Sequence, residues 1–203
     1  GYVTAWYDQS GNGANATQST TGQQPMIYDR VAAAVVTENG KPALQFTAFS
    51  DTGFSMSLPN IGSNYLGASV HKLTLSSSTR VFYHTSTNFS TTGVTAFYSG
   101  GKPAVSAAIA GSSGGKIAAT ATTNNQILHV GQLSSGTLKL FVDGSEETAT
   151  TSWVPNNNDH IGKRADGFFE FQGTLQEILL WNTDESSNRT GIESDINTYY
   201  SIY

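Results

Sequence analysis

The chain has 203 residues, no cysteine and a formal net charge of −5, with only 12% of its residues charged. That length suits one large β domain able to bury a proper core, and the missing cysteines exclude a disulfide framework or a thiolate metal site. The ten basic residues are scattered, with Lys163-Arg164 the only adjacent pair, which argues against nucleic-acid binding through a basic stripe; no run of 18 apolar residues marks a membrane span.

Taken in order, Gly1-Tyr2-Val3-Thr4-Ala5-Trp6 reads as a strand already under way. The chain is therefore expected to be a piece of a longer protein, with any targeting signal elsewhere. The loop Asp8–Asn15 follows, dense in Gly, Asn and Asp. Gly11 and Gly13 permit backbone angles that other residues avoid. Asp8, Ser10, Asn12 and Asn15 carry short oxygen-bearing side chains that bond nearby backbone or a hard cation.

Short apolar or alternating runs then recur between Gly, Asn, Pro and Ser clusters, the pattern of a many-stranded sandwich. Strands are expected near 2–7, 25–28, 33–37, 42–47, 53–58, 69–75, 79–84, 94–99, 104–109, 116–121, 126–133, 137–143, 158–162 and 172–181. The Gly-, Ser- and Ala-rich stretch 99–116 reads as a flexible loop or an edge hairpin. The clearest local structure is the hairpin at 126–144, where Ile127, His129, Gly131 and Leu133 share one face. Leu138, Leu140 and Val142 share a face of the returning strand, and Asp143-Gly144 is expected to end it. In 172–181, Leu175, Leu179 and Trp181 are expected on one face and Ile178 and Leu180 on the other, so this strand should be covered on both sides. The tail is the one predicted helix, with Asp184, Ser186 and Ser187 as candidate caps and Ile192, Ile196, Tyr199 and Tyr203 along one face.

Three segments carry a family resemblance. Trp6-Tyr7-Asp8-Gln9-Ser10-Gly11-Asn12-Gly13, with Ala16-Thr17-Gln18 after it, resembles the opening motif of laminin-G-like, concanavalin A-like jelly rolls. Thr137–Gly144 resembles that family's strand closing on Val-Asp-Gly, and Phe171–Asn182 its last strand. Such domains occur in secreted bacterial proteins, phage virion proteins and some arabinofuranosidases. The resemblance implies an all-β, antiparallel jelly-roll sandwich with one short C-terminal helix, spanning 1–203 as a single domain. The stretch 55–115 matches poorly, and ligand specificity is expected there.

Glu177 sits in an otherwise apolar strand, so its carboxylate needs a hydrogen bond, an ion pair, a metal or a proton. Backbone N–H groups or Arg164 could partner it. The resemblance also implies a structural Ca²⁺, for which Asp8, Asn12, Asn15 and Glu177 are the candidate ligands; Asp8 could equally cap its own turn.

A low-charge surface rich in Ser, Thr, Asn, Gln and Gly suits neutral hydroxyl-rich ligands. The segment Ser152–His160 supplies an aromatic ring beside amides and an imidazole, the groups that sugar faces and edges need. Trp153, Asn156, Asn158, His160 and Arg164 are the candidate carbohydrate-binding residues, with Tyr65, Tyr83, Tyr98 and Phe89 as alternative stacking platforms. No catalytic residues are assigned: no glucanase-like Glu-x-Asp-x-x-Glu or Gly-x-Ser-x-Gly elbow is present, and Asp159, Asp166 and Glu170 read as solvated loop acids. The reading is a non-catalytic, lectin-like module that attaches a virion appendage, such as a phage tail fibre, or a secreted adhesin to a glycan or cell-surface polysaccharide. It places the protein outside the cell or on a virion, without membrane insertion. The alternatives are a decoration module of a particle or filament, working through homo-oligomer or particle assembly, and a glycoside hydrolase related to the arabinofuranosidases.

Overall fold

The computed structural model describes residues 1–47, 51–57, 64–74, 80–85, 93–108, 116–150, 160–163 and 169–203. In chain order, β1 (Ala5–Trp6) and β2 (Ala16–Thr17) are followed by two small hairpins, β3 (Tyr28–Asp29) with β4 (Ala34–Val35), and β5 (Thr37–Glu38) with β6 (Lys41–Pro42). Then come β7 (Leu44–Phe46), β8 (Phe54–Ser55), β9 (Tyr65–Leu73), β10 (Arg80–Thr85), β11 (Gly93–Ser99), β12 (Lys102–Ala108) and β13 (Lys116–Ala118). The chain closes with β14 (Gln126–Ser134), β15 (Thr137–Val142), β16 (Ser145–Glu147), β17 (Ala149–Thr150), β18 (His160–Ile161), β19 (Gly173–Trp181) and helix α1 (Arg189–Tyr200).

Two antiparallel sheets form the sandwich. One has nine strands in the order β1-β2-β8-β18-β10-β11-β12-β13-β17, and the other six, β16-β15-β14-β9-β19-β7. Alternation along each strand sends every second side chain into the space between them. Phe54, Tyr83, Val94, Ala96, Tyr98, Val105 and Ile161 enter from the nine-stranded sheet; Phe46, Tyr65, Leu73, Ile127, Leu133, Leu140 and Leu175 enter from the six-stranded one. The opposite face of the six-stranded sheet carries a second cluster, Leu66, Ala68, Val70, Leu128, Val130 and Phe141, and α1 covers it with Ile196 and Tyr200. The all-β jelly-roll sandwich with one C-terminal helix is thus the fold of this chain.

Several local expectations change. β9 begins at Tyr65 rather than 69, because Gly67 does not break it. Gly67 pairs with Gly131 across β14, and a Cβ there would land on the hydroxyls of Tyr65 and Tyr83. Those two buried phenols hydrogen-bond to each other. Asp143-Gly144 ends β15 as expected: both residues take positive φ, 51° and 77°, and form a two-residue turn into β16. Gly100 and Gly101 do the same between β11 and β12, so the first half of 99–116 is a hairpin; 109–115 lie outside the described residues.

In β19 the pairing register slips between Leu175 and Glu177. Gln176 is the extra residue of a bulge, and it inverts the alternation. Leu175 therefore faces the interlayer core with Ile178 and Leu180, while Leu179 and Trp181 face the helix. Gln176 uses its bulged position to donate from Nε2 to the carbonyls of Glu38, Lys41 and Pro42.

In α1 the buried stripe is Ile192, Ile196 and Tyr200, not Tyr199 and Tyr203, both of which are exposed. The i, i+4, i+8 row winds slowly around the axis, toward Tyr200 and away from Tyr199, and Tyr203 lies beyond the left-handed Ser201 that ends the helix. The N-cap residue is Asn188, with no side-chain cap. Asp184 instead accepts from Ser186 N–H (3.0 Å) and Ser134 Oγ (2.6 Å), tying the helix approach to β14.

Two histidines lie wholly inside the interlayer core. His129 Nε2 donates to the Ala104 carbonyl at 3.1 Å, and His71 Nδ1 bonds Ser69 Oγ at 3.2 Å. Their rings are 6.0 Å apart, and Phe82 packs on His71 at 4.0 Å. Among the described residues, His71 Nε2 and His129 Nδ1 have no hydrogen-bond partner. Desolvation favours the neutral rings, lowering His71 well below its ordinary value, further lowered by His129, and His129 to about 4.

Two measurements check this interior. Gly67→Ala should lose about 1–3 kcal/mol in urea unfolding through overpacking against the tyrosine pair, whereas Gly22→Ala, in open space, should match the parent. For the histidines, the unfolded chain binds protons first. Stability is then level above about pH 6.5 and falls as pH drops, by about 1.4 kcal/mol per unit for each histidine. Urea titrations at pH 7, 6 and 5 should show that loss; equal stability at all three would contradict two neutral core imidazoles. Glu177, Glu193 and Asp143, all raised by desolvation, act in the opposite sense only where they take up protons in the fold.

Candidate functional site

With α1 on the six-stranded sheet, the outer face of the nine-stranded sheet is, among the described residues, the face that no helix covers. Register alone builds a polar row across it. Thr17 pairs with Ser55, Ser55 with His160, His160 with position 84, position 84 with Thr95, and Thr95 with Ser106. In every strand the neighbours of these residues are core-facing: Ala16, Phe54, Ile161, Val94 and Ala96, Val105 and Ala107. Parity therefore aims Thr17, Ser55, His160, Thr95 and Ser106 outward together.

The row is graded. Thr95 and Ser106 are only 2% and 4% exposed. Beside them an apolar row of Phe97, Ala104 and Ala118 is buried with Phe169 packed against it. At the other end Thr17 and Ser55 are open to solvent and His160 is partly so. Ser55 Oγ and His160 Nε2 lie 3.3 Å apart, which fixes the direction of the imidazole. The open end thus offers two hydroxyls, which both donate and accept hydrogen bonds, beside an imidazole whose Nε2 holds Ser55 in place.

Of the carbohydrate-binding candidates, His160 is in this row. Trp153, Asn156, Asn158 and Arg164 lie outside the described residues, as do Phe89, Asp159 and Asp166. Tyr65, Tyr83 and Tyr98 are not platforms: all three are fully buried between the sheets. Glu170 is not a solvated loop acid, since its Oε1 accepts from Asp51 N–H at 2.9 Å. Asp51 in turn takes Lys163 Nζ on Oδ1 at 2.8 Å and Gln23 Nε2 on Oδ2 at 2.6 Å.

The proposed calcium ligands fall in two places. Asp8, Asn12 and Asn15 share the β1–β2 loop. There the Asp8 carboxylate accepts from Ser10 N–H (2.8 Å), Ser10 Oγ (2.9 Å) and Ala14 N–H (3.0 Å). Asp8 N–H donates to Asn15 Oδ1 at 2.9 Å, and Asn12 Nδ2 donates to Ser10 Oγ at 3.0 Å. Those bonds, first among them the one from Ser10 N–H, hold the Asp8 carboxyl below its usual range. Glu177 lies on the helix-covered face of the other sheet, where burial raises its pKa and Tyr200 hydrogen-bonds it. Among the described residues, no three His, Asp or Glu side chains gather closely enough to hold a metal ion. As it stands the loop fits a self-held turn, with Asp8 as its cap.

No protein-family model matches the chain, and no curated protein does. Solved structures do resemble it. CBM40 of Ruminococcus gnavus IT-sialidase, bound to α2,3-sialyllactose, superposes with a TM-score of 0.53 at 11% identity over 73% of this chain and 94% of its own. A native heptameric SAP-like pentraxin from Limulus polyphemus gives 0.51 at 14% identity over 73% and 79%. The botulinum neurotoxin serotype D ligand-binding domain, in complex with N-acetylneuraminic acid, gives 0.53 at 13% identity over 98% of this chain and 50% of that one. At such identities the likeness is one of fold: this chain shares their jelly-roll β-sandwich.

The capping role of Asp8 is directly testable. Asp8→Ala should speed amide hydrogen exchange at Ser10 and Ala14 without changing exchange in β14. Unchanged exchange at both amides would contradict a loop held by this carboxylate. Because the folded pKa is lowered, the protection should persist at neutral pH and fade as pH falls through the acid range.

Proposed function

We propose that this chain is a non-catalytic glycan-recognition module that binds through the open end of the polar row on its nine-stranded sheet. The observation that carries the reading is the convergence of Thr17, Ser55 and His160 on the face that α1 leaves uncovered. The Thr17 and Ser55 hydroxyls, the latter oriented by His160, match sugar hydroxyls, which must both give and receive hydrogen bonds. The fold likeness to domains solved with sialylated ligands supports the same class of partner and suggests the first probes. A chain with only 12% charged residues supports a setting outside the cell, and within this proposal the module attaches a virion appendage or a secreted adhesin to a polysaccharide. Calcium at the Asp8–Asn15 loop is a separate proposal, supported by three oxygen-bearing side chains on one loop. It is tested by melting with and without chelator: a lowered midpoint supports it, and an unchanged one leaves only the capped turn.

A glycan array carrying sialylated and neutral oligosaccharides tests the main reading. The protein should bind at least one glycan. Ser55→Ala and His160→Ala should each weaken that binding about three- to tenfold with unchanged melting midpoints, while Tyr199→Ala, on the helix side, should bind as the parent does. A folded protein that captures no glycan would overturn the proposal.

A further inference from the structure

We infer that Tyr7 is the stacking platform of this site, lying against the apolar C–H face of a bound pyranose while Thr17, Ser55 and His160 hold its hydroxyl edge; the inference rests on the glycan reading of that face. Trp6 packs inward, on the interlayer core and against Phe54 with ring centroids 6.3 Å apart. Tyr7 is the first residue past β1, and carrying the alternation one step beyond Trp6 turns its exposed ring outward. Ala5 pairs with Thr17, so Tyr7 is the diagonal neighbour of Thr17 on the outer face. Diagonal positions on paired strands sit about 7–8 Å apart, within reach of an aromatic side chain.

Tyr7 is 66% exposed, yet the peptide group that joins it to Asp8 is held at both its carbonyl and its N–H. Its carbonyl accepts from Gln9 Nε2 at 3.1 Å, and the next N–H donates to Asn15 Oδ1. The three donors on the Asp8 carboxylate then hold the rest of the loop. An open ring on a fixed backbone loses little freedom when a ligand covers it, which is how rigid aromatics contribute to recognition. The other exposed tyrosines of the described residues belong elsewhere. Tyr199 lies over Lys41 Nζ at 4.2 Å, and Tyr203 packs against Gly144 on the six-stranded side. Tyr2 bridges to Met26, which bridges to Gln45 at the β7 edge, and Tyr28 belongs to the β3–β4 hairpin.

Sugars with an uninterrupted axial C–H face are the class this platform fits, because a ring stacks on C–H groups and not on hydroxyls. The test takes the tightest binder from an array that includes α2,3-sialyllactose and lactose, and measures its affinity by calorimetry. Tyr7→Ala should weaken binding at least about tenfold, equivalent to about 1.4 kcal/mol. Tyr7→Phe and Tyr7→Trp should stay within about threefold of the parent, and all three should keep its melting midpoint. Parent-like affinity in Tyr7→Ala, alongside weakened Ser55→Ala, would overturn the platform and leave the face standing. Parent-like affinity in both would overturn the platform and the face together, and a parent that binds no glycan would remove the reading on which both rest.

Discussion

A strand can bury only every second side chain in a given layer, and this parity organises the whole molecule. In β9 and β14 both sets are apolar enough to be covered, one by the facing sheet and the other by α1. In the nine-stranded sheet the outward set divides. Phe97, Ala104 and Ala118 bury themselves with Phe169, while Thr17 and Ser55 stay in water. The single helix therefore decides which face is closed, and the pairing register decides what the other face presents.

The same parity explains why the interior is more polar than an aliphatic sandwich core. Inward positions of β9 and β14 carry Tyr65, Gly67, Ser69 and His71 opposite Leu133, Gly131, His129 and Ile127. The paired glycines leave space that the Tyr65 and Tyr83 rings fill, and the phenols satisfy each other. The imidazoles find one partner each and remain neutral. Such a core is specific in shape, since each polar group has one place where its bond can form. It is also sensitive to acid, because burial penalises a charged imidazole in that layer.

Much of the fold was legible in the residues. The Gly- and Asn-rich opening loop, the 126–144 hairpin, the apolar 172–181 strand and the terminal helix were all readable, because each writes its pattern within a dozen residues. The misreadings are places where one residue changes parity or a neighbour far along the chain decides. Gln176 adds a bulge that no local signal announces. Gly67 looks like a break until Tyr83 arrives from another strand to fill the space. The candidate site was legible only in part. His160 stood out by its company in sequence, whereas Thr17, Ser55, Thr95 and Ser106 are ordinary residues made notable only by lateral register between strands 17 to 160 residues into the chain. Tyr7 was read as part of a motif rather than as a surface, since its outward aim follows from Trp6 packing inward.

The account therefore turns on which side of the sandwich meets the ligand. Amide chemical-shift mapping during titration with the tightest-binding glycan reads this directly, residue by residue. The account predicts that the largest shifts cluster at Tyr7, Thr17, Ser55 and His160, with α1 and its cluster on β9 and β14 silent. Shifts concentrated on Ile192 to Tyr200, with the Thr17–Ser55–His160 row unmoved, would contradict it.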